Sequence, residues 1–398
     1  MDSNRILYIA FIREDSESIG FVKKVMAQSK AFSQLGLESY LYISANDHAK
    51  LYKIVEGKVN EVKRLYYSST AVYKDSKFPP LKIRNYFRFK QFIKHIKLQI
   101  AEINPSKVYI RRVRPITQDL VNLGNHCFSR GIKVFFEFPD FPHTPFVHPA
   151  NKNIQSYLKY YHEKIFFKRL EKYLYKIVVI SVREDFKNDK FLYLRNGIEV
   201  ESIPMLKKEI ESGSECKKLN LIGVANVGFW HAYDRVIQGM AKHYKNSGEL
   251  PIHFHIVGEG AEIPNLKELV NGENLNEHVT FHGSKTGKAL DEVFEDSHIG
   301  VGILGNHRKG LYGDSSLKNR EYCARGIPFI KAAKDLDFPE DFPFSFNLPA
   351  DNTPLSIGEL IKFYNNLGNS FSDKEYLMRE YALSHLTWKS KMEVVARV

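Results

Sequence analysis

The 398-residue chain is 43% hydrophobic, 26% charged and 13% aromatic. That composition excludes a disordered or fibrous polypeptide and leaves room for two globular cores. The formal net charge of +12 is unevenly placed: residues 1–200 carry 35 Lys and Arg against 19 Asp and Glu, a net +16, and the remainder 23 against 27, a net −4. A basic half of this kind meets nucleic acid, anionic lipid or a phosphorylated substrate, or is a solvated surface.

The chain opens "MDSNRILYIAFIRED". The apolar run is about eight residues long and then meets charge, which predicts a first buried strand and no signal peptide. No apolar run approaches the ~18 to 20 residues of a spanning helix. Strand-like runs then recur as "ESYLYIS" (38–44), "KVYIRR" (107–112), "KVFFEF" (133–138) and "KIVVISV" (176–182). Helical patterns such as "VKKVMAQSKAFSQLG" (22–36) lie between them. Over residues 78–100, Phe89, Phe92, Ile93, Ile96 and Ile100 share one helical face, while Arg84, Arg88, Lys90, Lys94 and Lys97 crowd the others. The apolar stripe reads as core. The basic face suits an anionic leaflet, at about 1 kcal/mol per basic residue near the surface. Residues 157–176 repeat the mixture of aromatic and basic side chains.

The polar stretch "KKEIESGSECKK" (207–218) breaks the series where the charge also changes sign. Beyond it come "LNLIGVAN" (219–226), "IHFHIVGEG" (252–260), "HVTFHGS" (278–284), "HIGVGIL" (298–304) and "IPFIKA" (327–332), with helices such as "YDRVIQGMAKHY" (233–244) between. Two alternating strand–helix series predict an α/β protein of two Rossmann-like domains with parallel sheets. Cys127, Cys216 and Cys323 are odd in number and widely spaced, with no CxxC and no zinc spacing, so a reduced, cytoplasmic protein without a metal site is expected. No helix-turn-helix, RNP-like strand or zinc knuckle is present, which argues against nucleic acid.

Ligands of open α/β sheets bind at the carboxyl ends of the strands. "VGEGAEIPNLKEL" (257–269) has two glycines, Gly258 and Gly260, between a strand and a helix, a tight turn or a place of close ligand approach. "LYGDSSLKNREYCARGIPFI" (311–330) is more telling. Ser315 or Ser316 caps a helix, Lys318 and the first-turn amides suit a diphosphate, and Glu321 one turn on suits the two hydroxyls of a ribose. The plain alternative is an intrahelical Lys–Glu pair.

"SSLKNREYCARGIPFI" resembles the nucleotide-sugar helix of the GT-B glycosyltransferases, particularly family 4. "ESIGFVKKVMAQSKAFSQLGLESYLY", the "NGI" turn at 196–198, "GVANVGFWHAYDRVIQGM" and "FHIVGEG…HVTFHGSKTGKALDEVF" resemble other segments of the family in the same order. The resemblance implies two Rossmann-like domains facing a central cleft. The expected divisions are an acceptor domain at 1–205, a nucleotide-sugar domain at 206–375 and a C-terminal helix, 376–398, returning to the first domain. It implies transfer of a sugar, with retention, from a nucleotide diphosphate sugar such as UDP- or GDP-hexose to a lipid-linked or other glycan acceptor. Neither a metal nor any other cofactor is implied. A peripheral position on the inner face of the plasma membrane follows from the basic half. The alternative is an inactive pseudo-enzyme serving as partner of another transferase.

Site residues are carried over by position. The diphosphate falls to Lys318, Ser315, Ser316, Asn226 and His231, the ribose to Glu321, and the nucleotide loops to Gly258, Gly260 and Gly283. Gly20, Phe21 and Lys23 form the acceptor loop. The family's first glutamate, eight positions before Glu321, is here Gly313, with Asp314 the nearest carboxylate for the donor sugar. An Arg and a Lys of the family's first donor-domain loop are replaced by Val224 or Asn226 and by His231. Glu137 stands nearest the family's catalytic-face histidine, with Asp140 and His143 just after it.

Overall fold

The structure is a computed structural model; it describes residues 4–12, 19–45, 47–67, 81–113, 115–138, 154–180, 188–206 and 217–398. The chain divides into two compact units, residues 1–194 with 388–398, and residues 195–387.

The first unit contains β1 (Arg5–Ala10), α1 (Ile19–Gln34), β2 (Glu38–Ser44), β3 (His48–Val55), β4 (Lys58–Tyr66), α2 (Leu81–Ile103), β5 (Lys107–Arg111), α3 (Gln118–Phe128), β6 (Lys133–Phe138), α4 (Ile154–Leu170), β7 (Lys176–Ile180) and β8 (Phe191–Leu194). They build one sheet in the order β4-β3-β2-β1-β5-β6-β7-β8. β1 shows why the apolar runs are continuous. Leu7 and Ile9 enter the core under α2 and α3, while Ile6, Tyr8 and Ala10 enter the core under α1. Six strands run parallel. β3 and β4 do not: they form an antiparallel edge. Their turn, Glu56-Gly57, has both residues at positive φ, as a two-residue hairpin turn requires. That edge was not anticipated, because β4 is charged along its length and lies at the sheet margin, half-exposed. The stripe Phe89, Phe92, Ile93, Ile96 and Ile100 is core, as its spacing predicts. Lys90 and Lys94 of α2 face solvent, but Arg88 turns inward and donates from Nη2 to the Ala45 carbonyl at 2.7 Å.

The second unit contains β9 (Leu219–Val224), α5 (Asp234–Lys245), β10 (Ile252–Val257), α6 (Ile263–Gly272), β11 (Val279–Phe281), α7 (Lys288–Glu295), β12 (Ile299–Val301), β13 (Gly313–Asp314), α8 (Leu317–Arg325), β14 (Phe329–Lys331), β15 (Lys334–Asp335), β16 (Ser345–Asn347), α9 (Ile357–Ser370) and α10 (Lys374–His385). Its main sheet is parallel throughout, ordered β11-β10-β9-β12-β14-β16, with β13 and β15 a small separate ribbon. The order reverses between β9 and β12. Loops diverge there, so a crevice forms beyond the carboxyl ends of those two strands. Cys127 and Cys323 are buried, unpaired thiols.

The last helix, α11 (Trp388–Arg397), belongs to the first unit. Trp388, Met392 and Val395 are buried in the core under α1. The divisions therefore fall at 194/195 and 387/388, not at 205/206 and 375/376. Ile198, Val200 and Leu206 share a core with Met378 and Ala382 of α10 inside the second unit, which accounts for both shifts.

Met392 is fully buried. Met392→Ala is expected to cost about 2–5 kcal/mol in urea unfolding of the first unit. A cost near zero would mean that α11 is only loosely seated.

Candidate functional site

The crevice of the second unit is built from the loops after β9 and β12 and the start of α8. Five contacts of Asp314 and Ser315 fix that start. The buried Asp314 carboxylate accepts the Ser316 N–H at 2.8 Å, the Ser316 hydroxyl at 3.1 Å and Asn319 Nδ2 at 3.1 Å. Ser315 Oγ accepts the Asn196 N–H at 2.9 Å, and the Ser315 carbonyl accepts Asn196 Nδ2 at 2.7 Å. Arg320, wholly buried, donates to the Asn196 and Ser316 carbonyls at 2.7 and 2.8 Å and pairs with Asp335 and Asp337. Ser316 holds the N-cap position, but its hydroxyl turns back to Asp314 instead of capping the helix. Asp314, expected at the donor sugar, is thus an internal brace. Burial, and then Asp335, push its carboxyl above the usual range. Gly313 is in the ribbon strand beside it.

Basic groups converge at this helix start. Lys318 Nζ lies 3.2 Å from His231 Nε2. Lys309 lies over the Trp230 ring at 4.8 Å. Burial lowers the ammonium pKa of both lysines; for Lys318 this is partly offset by Asp314 and Glu321, and for Lys309 by Asp314. His231 is held neutral: burial first, then Lys318, push its pKa down to about 3. The Gly228 N–H points to its Nδ1 at 2.9 Å, shorter than the 3.2 Å from Nδ1 to the Gly228 carbonyl. Nε2 in turn faces the Lys318 ammonium, itself only a donor, so the ring stands between two donors. An ammonium group held beside an imidazole at a helix start is an arrangement that suits an anionic oxygen.

The supporting loops are stitched together. Leu304 N–H donates to the His231 carbonyl and Gly305 N–H to that of Trp230. Ala232, next to His231, is left-handed at φ 52°, a conformation costly for a residue with a Cβ. Gly258 and Gly260 serve the same stitching. A Cβ on Gly258 would lie 1.8 Å from the Ala225 carbonyl oxygen, and one on Gly260 2.2 Å from that of Val227. The close approach they allow is to the protein's own loop after β9. Gly283 accepts the Gly258 N–H at 2.7 Å, extending the seam. Asn226 is exposed on the β9 loop, and Glu321 is half-exposed on α8. Glu321 Oε1 accepts Arg325 Nε and Nη2 at 3.1 and 3.0 Å. Its ion pair is therefore with Arg325, one turn onward, and not with Lys318. Lys309 and Trp230 were missed in the sequence, although "HRKG" follows a strand at the same sheet edge.

In the first unit the expected sites are only partly brought together. Asp140 and His143 lie outside the described residues. Gly20 is in the first turn of α1; Phe21 and Lys23 are exposed. Glu137, the last residue but one of β6, is fully buried, so it is not placed to meet a substrate. Its Oε2 accepts Tyr109 Oη at 2.7 Å and Gln28 Nε2 at 2.8 Å; Oε1 faces Arg111 Nη1 at 3.4 Å and Lys24 Nζ at 3.6 Å. Burial raises its pKa, but Lys24 and Arg111 outweigh that and hold the carboxyl below its usual value. Burial lowers Lys24 to about 8. Lys24, not Lys23, is the inward lysine of the first helix, and Arg111 stacks over Phe21 at 5.3 Å.

No family model and no curated protein sequence matches this chain. Solved structures do. A glycosyltransferase from Rickettsia africae ESF-5 superposes with a TM-score of 0.59 at 12% identity, covering 99% of this chain and 97% of that one. Alr3699/HepE of Anabaena, in complex with UDP, gives 0.58 at 10% identity over 99% and 98%. The catalytic domain of starch synthase IV from Arabidopsis thaliana, bound to ADP and acarbose, gives 0.57 at 11% identity over 99% and 98%. The fold is GT-B along the full chain.

Replacing Glu137 by Gln removes the buried carboxylate that Lys24 and Arg111 face. The expected cost is about 3–5 kcal/mol in urea unfolding. Unchanged stability with lost activity would restore a catalytic role to this carboxylate. A second expectation concerns acid. The pKa of His255 is lowered to about 4 by burial and by His253 and His282. With His231 at about 3, both rings are neutral in the fold but titrate near 6.5 when unfolded. Their contribution is intact above pH ~6.5 and is lost as pH falls toward the folded values. Unfolding free energies between about pH 7.5 and 4.5 should fall, and less steeply in His255→Asn. An identical slope in the variant would contradict the assignment.

Proposed function

We propose that the chain moves a sugar from a nucleoside diphosphate sugar to an acceptor hydroxyl, as a retaining, family 4-type hexosyltransferase. The observation that carries this is the convergence of Lys318 and His231 at the N-terminus of α8, in the crevice of a Rossmann-like sheet of a GT-B chain. As the glycosyl–oxygen bond breaks, negative charge grows on the departing diphosphate. Lys318, Lys309, His231 and the first amides of α8 are already aimed at it, so little reorganisation is needed. Glu321, steadied by Arg325 through Oε1, presents its other oxygen to the ribose hydroxyls. In this reading basic side chains do the work of a cation, so no metal or other cofactor takes part. Because the HepE complex of the same fold carries UDP, a uridine nucleotide leads the donor screen. The acceptor is a lipid-linked or other glycan hydroxyl.

The test is calorimetric titration with UDP, GDP and ADP, followed by transfer assays with the matching sugar nucleotides. Lys318→Ala should weaken diphosphate binding by about ten- to a hundredfold, the worth of a charge-assisted hydrogen bond. Glu321→Gln should weaken nucleoside diphosphate more than inorganic diphosphate. Since the Lys318 pKa is lowered, affinity should fall with rising pH earlier than an ordinary lysine would dictate. Transfer should survive EDTA. Unaltered binding in both variants would place the donor elsewhere, and loss with EDTA restored by manganese would overturn the metal-free reading.

A further inference from the structure

Helix α4 has two apolar faces: one enters the first unit's core and the other is largely exposed. Phe166, Phe167 and Leu170 turn into the first unit's core, and Glu163 on the same side pairs with Arg112 at 2.5 Å. On the opposite side Ile154, Tyr157, Leu158, Tyr161 and Ile165 follow one another at three- and four-residue steps, within about 100° of helical arc. All five are in solvent, at 80%, 43%, 66%, 56% and 54% exposure. Ordinary surface helices carry charge there. The stripe is bordered by Lys164, Lys168 and Arg169, all exposed.

We propose that this outer face of α4 docks on an anionic lipid bilayer, lying in the interface with its aliphatic side chains among the acyl chains and its lysines at the headgroups. Tyr157 and Tyr161 have an apolar ring and a polar tip, suited to that boundary. Charge selects this occupant. A second copy would bring like charge to the face, since residues 1–200 carry +16. Among the described residues no helix is long and apolar enough to cross a membrane, so attachment here is peripheral. The proposal does not depend on the donor reading.

The full chain is sedimented with phosphatidylcholine vesicles containing roughly a third phosphatidylglycerol, and with phosphatidylcholine alone. Binding is expected only to the anionic vesicles, and should weaken as the Debye length shrinks from ~10 Å at 0.1 M salt to ~3 Å at 1 M. Leu158→Glu with Ile165→Glu should lower the partition coefficient about tenfold or more. The melting temperature and UDP titration should not change, because neither side chain enters a core. Wild-type protein that ignores anionic vesicles, or a double variant that binds them equally, would overturn the proposal. So would light scattering that shows a wild-type dimer abolished by the same substitutions, which would make a second copy the occupant.

Discussion

The second unit depends on one buried cation. Arg320 is wholly enclosed, and its guanidinium reaches the carbonyls of Asn196 and Ser316 and the carboxylates of Asp335 and Asp337. Burial alone would lower its pKa, but the two aspartates reverse that and raise it. Such a charge is tolerable only when its donors are matched, because desolvation costs several kcal/mol per ion. The matching also sets positions. The Ser316 carbonyl is one residue before α8, so the clamp fixes where that helix begins and hence where Lys318 and Glu321 stand. A lysine in its place could not bridge two carbonyls and two carboxylates at once.

The first unit has a counterpart of opposite sign. Glu137 is the buried anion, and Lys24, Arg111, Tyr109 and Gln28 are gathered from α1, β5 and the strand ends around it. In both units the polar groups at the strand ends chiefly hold one another. Among the described residues of the second unit, Lys318 and His231 instead meet each other at the start of α8.

This explains what the sequence could and could not disclose. Strand runs such as "RILYIA" and "LNLIGV" were legible because both faces of a parallel sheet are covered, so nearly every position is apolar. The helix at 317–325 was legible from its serines and its Gly326 stop, which is left-handed at φ 79°. The hairpin of β3 and β4 was not, since an edge strand with one wet face looks polar. Asp314 stood where a donor-sugar carboxylate was sought and Glu137 where a catalytic one was, yet both are enclosed. Sequence position fixes the strand end on which a residue sits, but not whether its side chain turns toward the crevice or the interior. That choice is made by partners distant in sequence, such as Gln28, 109 residues from Glu137. Lys309 and Trp230 were hidden because neither has a fixed spacing from the helix they approach.

The path of the chain carries a consequence for biosynthesis. Residues 195–387 are interposed within the first unit, whose cover over α1 is completed by α11. Lys107 and Lys133 also reach the carbonyls of Ala396 and Val398. On a ribosome, the sheet made first must wait for the whole second unit to emerge before Trp388 and Met392 can close its face. During that interval Val25, Ala31, Phe32 and Tyr109 lie under an unfinished roof. The second unit can complete its folding while tethered, whereas the first is, for the time of translating nearly two hundred residues, a natural client for a chaperone.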